Sequence, residues 1–116
     1  MSKVLEKATS HFRNKLSAEL MSIEVPEWEA KVYFKPTITL KEQGKLIELA
    51  SSGKQVEALV ESLIVKARNE DGTKMFTQMD RQVLLNEVDP NVLIRVVSEI
   101  NAKTDAADME SVEKNS

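Results

Sequence analysis

Six apolar residues between positions 54 and 68 constrain this chain most. Val56, Leu59, Val60, Leu63, Ile64 and Ala67 fall at i, i+3, i+4, i+7, i+8 and i+11, the spacing that lines one side of an α-helix. A continuous stripe of this kind must be covered by other elements, so the helix predicted here is one around which the rest should pack. Val65 lies off the stripe, where it would touch a second element or a partner.

The period changes on the N-terminal side. Ile23 and Val25 alternate with Ser22 and Glu24, and Val32-Tyr33-Phe34 follows the segment Pro26-Glu27-Trp28-Glu29. Two β-rich runs around a proline predict a hairpin over 20–35 with an irregular loop. The first strand should end before Pro26, which has no N–H to give a ladder. Residues 1–19 carry Ala8, Phe12 and Leu16 at helical spacing, continuing to Leu20. They form either an amphipathic helix or an arm that orders only against a partner.

Helical signals dominate from residue 39 onward. Thr39-Leu40-Lys41-Glu42 matches the capping box, in which hydroxyl and carboxylate satisfy orphan backbone N–H groups. Leu40, Ile47 and Ala50 then share a face, with Leu46 and Leu49 beside it, and Gly53 is a candidate left-handed stop. Residues 69–73 read as a turn. Thr77 is a helix cap, with Asp80 opposing the dipole of a short helix that carries Val83, Leu84 and Leu85. Asp89-Pro90 opens a last helix, whose buried face should be Val92, Leu93, Val96, Val97 and Ile100, with Asn101 at its end. Residues 102–116 hold only Met109 and Val112 as larger apolar groups among excess carboxylates. Such a segment buries too little to offset its ordering entropy and should be a disordered acidic tail. The predicted fold is α+β and mainly α. A single domain spans 20–101, with the N-terminal hairpin packed on four or so short helices over 39–101.

Composition narrows function by exclusion. With 16 basic and 19 acidic residues the net charge is −3, without the basic excess that phosphate binding needs, so no nucleic acid partner is expected. Residues 40–68 resemble two helices joined by a tight turn, but Gln55, Glu57, Glu61 and Ser62 on the outward side of the second would set carboxylates against phosphates. Cysteine is absent and His11 is the single histidine; zinc would lack ligands, and Ser10 beside His11 cannot make a triad. Gly44, Gly53 and Gly72 form no phosphate-cradling loop. Glu57 and Glu61 are expected on a solvated face rather than as an acid/base dyad. The expectations are therefore no enzyme, no catalytic residue, no metal and no cofactor. Apolar runs fall short of the ~20 residues of a membrane span, and the N-terminus has no signal-peptide core, so a cytoplasm is the expected location.

A protein-binding role remains. The candidate interaction residues are Trp28, Tyr33, Phe34, Val65 and Phe76, because aromatic side chains often anchor interfaces. For Trp28 the alternative is that it folds back and caps a small core. Helix-in-groove binding would suit the 54–68 and 90–101 region, and the hairpin edge offers strand addition or self-association.

One layout resembles a known family. Val25-Pro26-Glu27-Trp28 precedes Val32-Tyr33-Phe34-Lys35-Pro36; Asn69-Glu70-Asp71-Gly72, Met75-Phe76-Thr77, Asp80, Asp89-Pro90 and Ile100-Asn101 follow in order. Over about residues 12–101 this resembles the tail assembly chaperones of long-tailed bacteriophages and prophages. The resemblance implies a non-virion protein in the host bacterial cytoplasm that coats the tape measure protein and keeps it soluble. It also implies recruitment of the tail tube protein, through a form extended by ribosomal frameshifting. The alternatives are a structural tail completion or connector protein of the virion, and an acidic regulatory or antitoxin-like binding module.

Overall fold

The computed structural model describes residues 2–115, with side chains described through residue 106. Helix α1 spans Lys3–Leu16. Its N-cap is Ser2, whose Oγ accepts the Leu5 amide at 3.0 Å. None of its residues is fully buried. Val4 and Leu5 are exposed, while Phe12 and Leu16 are half-buried. Residues 3–16 are thus helical here, with their apolar side chains at most half-buried.

The hairpin forms where alternation predicts it. Strands β1, Met21–Val25, and β2, Ala30–Phe34, pair antiparallel with Ile23 opposite Val32. Pro26–Trp28 makes one 3-10 turn between them, and Glu29 closes it at φ 50°. The two-residue period puts Ile23, Val25, Val32 and Phe34 on one face, and all four are buried. The outer edge of β2 is already used. Tyr33 N donates to Arg68 O at 3.0 Å, Arg68 N donates back to Tyr33 O at 2.6 Å, and Arg68 bridges on to Lys74. On the β1 side, Ser22 O accepts from Lys103 Nζ. Strand addition at the hairpin would therefore have to displace bonds that the chain makes with itself.

Helix α2, Leu40–Ser51, begins on the expected capping box: Glu42 N donates to Thr39 Oγ1 at 3.1 Å and Thr39 N to Glu42 Oε1 at 2.9 Å. Gly53 takes φ +81° in the turn into α3, Gln55–Lys66. The stripe of α3 goes where its spacing sends it, with Val60, Leu63, Ile64 and Ala67 buried. Val56 is the exception: it stands exposed at the start of the helix. Val65, off the stripe, is buried as well, because α3 is covered on more than one side.

A 3-10 turn at Gln78–Asp80 leads into α4, Arg81–Asn86. Thr77 N donates to Asp80 Oδ2 at 2.8 Å. Helix α5, Pro90–Asn115, starts on Asp89, whose Oδ1 accepts from Asn91 N at 2.9 Å. Val92, Leu93, Val96, Val97 and Ile100 are buried as expected. The core thus lies between the inner hairpin face, α3 and α5, with Leu84 of α4 closing it.

Two expectations about the C-terminal part shift. Asn101 does not cap α5; the helix continues, and Asn101 Oδ1 accepts from Lys66 Nζ at 2.7 Å. Residues 102–106, placed by sequence in the acidic tail, are a further turn of α5, where Thr104 Oγ1 donates to Ile100 O at 2.8 Å. Extending an existing helix gains one bond per residue ordered, whereas starting one is costly. The side chains of residues 107–116, the rest of that tail, lie outside the described residues.

A bidentate pair ties the hairpin turn to α5. Arg95 donates from both Nη atoms to the two Glu27 oxygens, each at 2.6 Å. The Arg95 hydrogen bonds, helped by the backbone at Glu27, pull the Glu27 carboxyl from 4.5 to about 2. The folded value is depressed, so the pair contributes fully above the ordinary glutamate range and fades as pH falls from 4.5 toward 2. An NMR titration should give Glu27 a midpoint near 2, and Arg95→Met should return it toward 4.5. A wild-type midpoint at the ordinary value would mean that the pair is open in solution.

Candidate functional site

Helix α2 is the unusual element of the fold. It is twelve residues long and buries none of them. Leu40 is 87% exposed and Ile47 56%, although both belong to the apolar face read from the sequence. A helix normally turns its apolar face to the core. Here Leu46, Ile47 and Ala50 instead form one wall of a groove whose other walls are Ala58 and Leu59 of α3 and Val97 of α5. The groove has a volume of about 450 Å³. Its lining is mostly aliphatic.

The groove continues past the start of α2. Gln43, Lys66 and Asn101 line both this apolar half and a second, wider half of about 640 Å³. The second half is mixed, with Ile38 and Leu40 lining it beside polar and charged side chains. It is walled by the connector Lys35-Pro36-Thr37, by Phe12 and Lys15 of α1, and by Thr104 and Asp105 of α5. Lys35 Nζ donates to the Leu16 carbonyl, which holds the end of α1 beside the connector. Burial pushes the Lys66 ammonium below the ordinary lysine range, and the Asp105 charge opposes that shift. One face of the molecule therefore carries a groove, mostly aliphatic at one end and with the half-buried Lys35 and Lys66 at the other.

The position of α2 is set on its other side by charge. Glu61 of α3, expected on a solvated face, is 2% exposed. Gln78 Nε2 donates to both its oxygens at 3.0 and 3.1 Å, Lys45 Nζ of α2 lies 3.1 Å away, and Arg81 Nη2 of α4 completes the set. Burial alone would raise the Glu61 carboxyl. The hydrogen bonds from Gln78 and Lys45, with the charges of Lys45 and Arg81, overcome it and hold the group below its ordinary value. A carboxylate held ionised in this way fastens three helices together and is unsuited to donating a proton. Ser62, also expected to face outward, is buried as well, while Gln55 stays exposed and Glu57 half-buried.

The five candidate interaction residues do not form one site. Phe34 is fully buried in the core and Val65 is 5% exposed, so neither is available to a partner in this conformation. Trp28 and Phe76 are brought together edge to face, with centroids 6.3 Å apart and planes at 82°. Both are half-buried and pack against the core cluster, so Trp28 folds back as its alternative reading had it. Tyr33 is half-buried on the outer side of the hairpin. The groove residues Leu46, Ile47, Ala50 and Leu59 were absent from the candidate set. Their signal was present: two consecutive amphipathic helices joined by a tight turn carry more aliphatic surface than one small core can cover.

Among the described residues there is no group of three or more His, Cys, Asp or Glu side chains placed to hold a metal ion. His11 lies exposed on α1. Among the described residues no helix is long and apolar enough to cross a membrane.

In sequence, no protein-family model matches the chain, and no curated protein matches it. In structure, the solved bacteriophage HK97 tail assembly chaperone matches with a TM-score of 0.57 at 17% identity, over 79% of this chain and 91% of that one. At that identity the likeness is one of fold: the overall arrangement of the chain is similar to that of a phage tail assembly chaperone.

Proposed function

We propose that this protein is a phage tail assembly chaperone that binds helical segments of the tape measure protein in the groove between α2, α3 and α5. The supporting observation is the groove itself: exposed Ile47 and Ala50, with half-buried Leu46 and Leu59, present aliphatic surface that the chain's own fold leaves at least partly uncovered. An exposed aliphatic channel between helices suits an amphipathic helix laid into it. A long tape measure chain offers many such helices, and several weak contacts along one polypeptide add up through local concentration. On this reading the protein works without catalysis in the host bacterial cytoplasm. It keeps the tape measure protein soluble, helps to bring tail tube subunits to it, and is absent from the mature virion.

Co-expression tests this reading. The protein should raise the soluble yield of its tape measure protein and co-purify with it. Ile47→Glu places a charge in the groove at an exposed position, so folding stability should stay within about 0.5 kcal/mol of the parent. Recovery of the tape measure protein should fall about tenfold or more, as expected when a central interface anchor worth over ~1.4 kcal/mol is lost. Equal recovery with parent and variant would remove the groove as the binding site. Copies retained in purified particles would remove the chaperone role.

A further inference from the structure

The groove is asymmetric along its length, and that asymmetry bears on what it accepts. Its aliphatic half ends where Lys66 and Asn101 cross the floor. Beyond them, the lining among the described residues includes Lys35 and Lys66, with the Asp105 carboxylate acting on Lys66. Lys35 rests on a neutral oxygen, the Leu16 carbonyl, and Lys66 on the amide oxygen of Asn101. Neither contact cancels a positive charge. Both side chains are half-buried, where an added anion is screened less than on open surface. From Leu40 to Ala50, α2 provides a wall about 15 Å long at the usual helical rise, enough for about three turns of a bound helix.

Building on the groove as the chaperone's binding site, we propose that it takes an amphipathic helix in one direction only: the aliphatic stripe lies on α2, α3 and α5, and a carboxylate-bearing end sits against Lys35 and Lys66. The chemistry of the occupant is thus an acidic-ended amphipathic segment, because charge complementarity selects it over a basic-ended one. A basic end would bring like charges together beside a half-buried lysine. The two halves play different parts. Aliphatic contact supplies the affinity, and the lysine end sets direction and discriminates between segments.

The test uses the full chain and two synthetic amphipathic peptides of about four turns, both with the same leucine stripe. One carries two glutamates in its end turn and the other carries glutamines there. Fluorescence anisotropy should show the glutamate peptide binding about tenfold more tightly. That difference should vanish near 1 M salt, where the screening length is about 3 Å. The double variant Lys35→Met/Lys66→Met keeps the aliphatic stems. It should bring the glutamate peptide down to the glutamine peptide's affinity and leave the latter within about twofold. A melting curve confirms that the variant is folded; if it is not, Lys35→Met alone should remove part of the preference. Equal binding of the two peptides to the parent overturns the proposal. So does an equal weakening of both by the lysine variants, which would mark the lysines as structural, and so does binding by neither peptide. Co-purification with the tape measure protein stands as a separate measurement, so the directional preference can fail while the chaperone reading survives.

Discussion

Phe34→Ala should cost the protein about a third or more of its folding stability if that stability is about 10 kcal/mol. The Phe34 ring is fully buried at the end of β2, within the cluster formed by Ile23, Val25 and Val32 of the hairpin, Leu63 of α3 and Ile100 of α5. It is one of three phenylalanines in 116 residues, and the remaining core is almost entirely aliphatic. Truncating a buried phenylalanine costs about 3–5 kcal/mol, from lost transfer energy and the cavity left behind. A domain of this size has only about 5–15 kcal/mol in total. Urea denaturation should show the midpoint fall with the slope unchanged. Phe34→Leu, which keeps most of the volume, should cost much less. A Phe34→Ala protein as stable as the parent would mean that the hairpin does not pack on the helices as described. The same burial bears on binding: loss of partner contact in a Phe34 variant would report a weakened fold rather than a missing contact.

Glu61→Ala should also destabilise the fold, for an electrostatic reason. Removing this 2% exposed carboxylate leaves the partly buried Arg81, and the Gln78 amide, without their shared acceptor. Losing hydrogen bonds to charged partners costs about 1.5–3 kcal/mol, and Arg81, with its side chain 23% exposed, keeps some access to water. The sharper result is the repair. Glu61→Leu combined with Arg81→Met removes both charges and should regain most of the loss, since a buried ion pair and an apolar pair of similar volume are often close in stability. If the double variant were worse than the sum of the single ones, the network would hold the fold by more than charge balance.

Acid should weaken the same network. The folded state holds Glu61 ionised below its ordinary value of 4.5, while the unfolded chain does not. On acidification the unfolded state therefore binds the proton first. The Glu61 contribution is complete above about pH 4.5 and is lost as pH falls through the lower folded value. The double variant should show a smaller loss of stability over that range in pH-dependent melts.

The buried glutamate marks where local reading of the chain stops. Glu61 follows Val60 and precedes Ser62 on a helix whose apolar stripe was plain, and its spacing places it off that stripe. Helical periodicity separates faces of one helix, but it cannot say that a second face will also be covered. Here α2 and α4 cover it, and residues 16 to 20 positions away in the chain, Lys45, Gln78 and Arg81, supply the compensating donors. Val65, read as touching a second element or a partner, is buried against the rest of the fold for the same reason. Trp28 shows the converse: its aromatic character fitted either a surface anchor or a cap on the core, and its ring lies against the core with Phe76 edge to face beside it.

What the residues determined alone is every feature that depends on near neighbours. The two-residue alternation of the hairpin, the capping box at Thr39 and Glu42, the positive φ at Gly53 and the aspartate-proline start of α5 are set by sterics and hydrogen bonds within a few positions. The last helix's buried face, from Val92 to Ile100, follows from the same short-range periodicity. Only the tertiary structure decided which apolar faces found a partner. The continuous stripe of α3 had the stronger claim to the core by sequence, but hydrophobic burial has no direction of its own, so the spacing in α2 could not say whether its aliphatic face would be covered too. The packing of α5 and the hairpin took Leu63 and Ile64 inward, and left Ile47 and Ala50 lining an open groove.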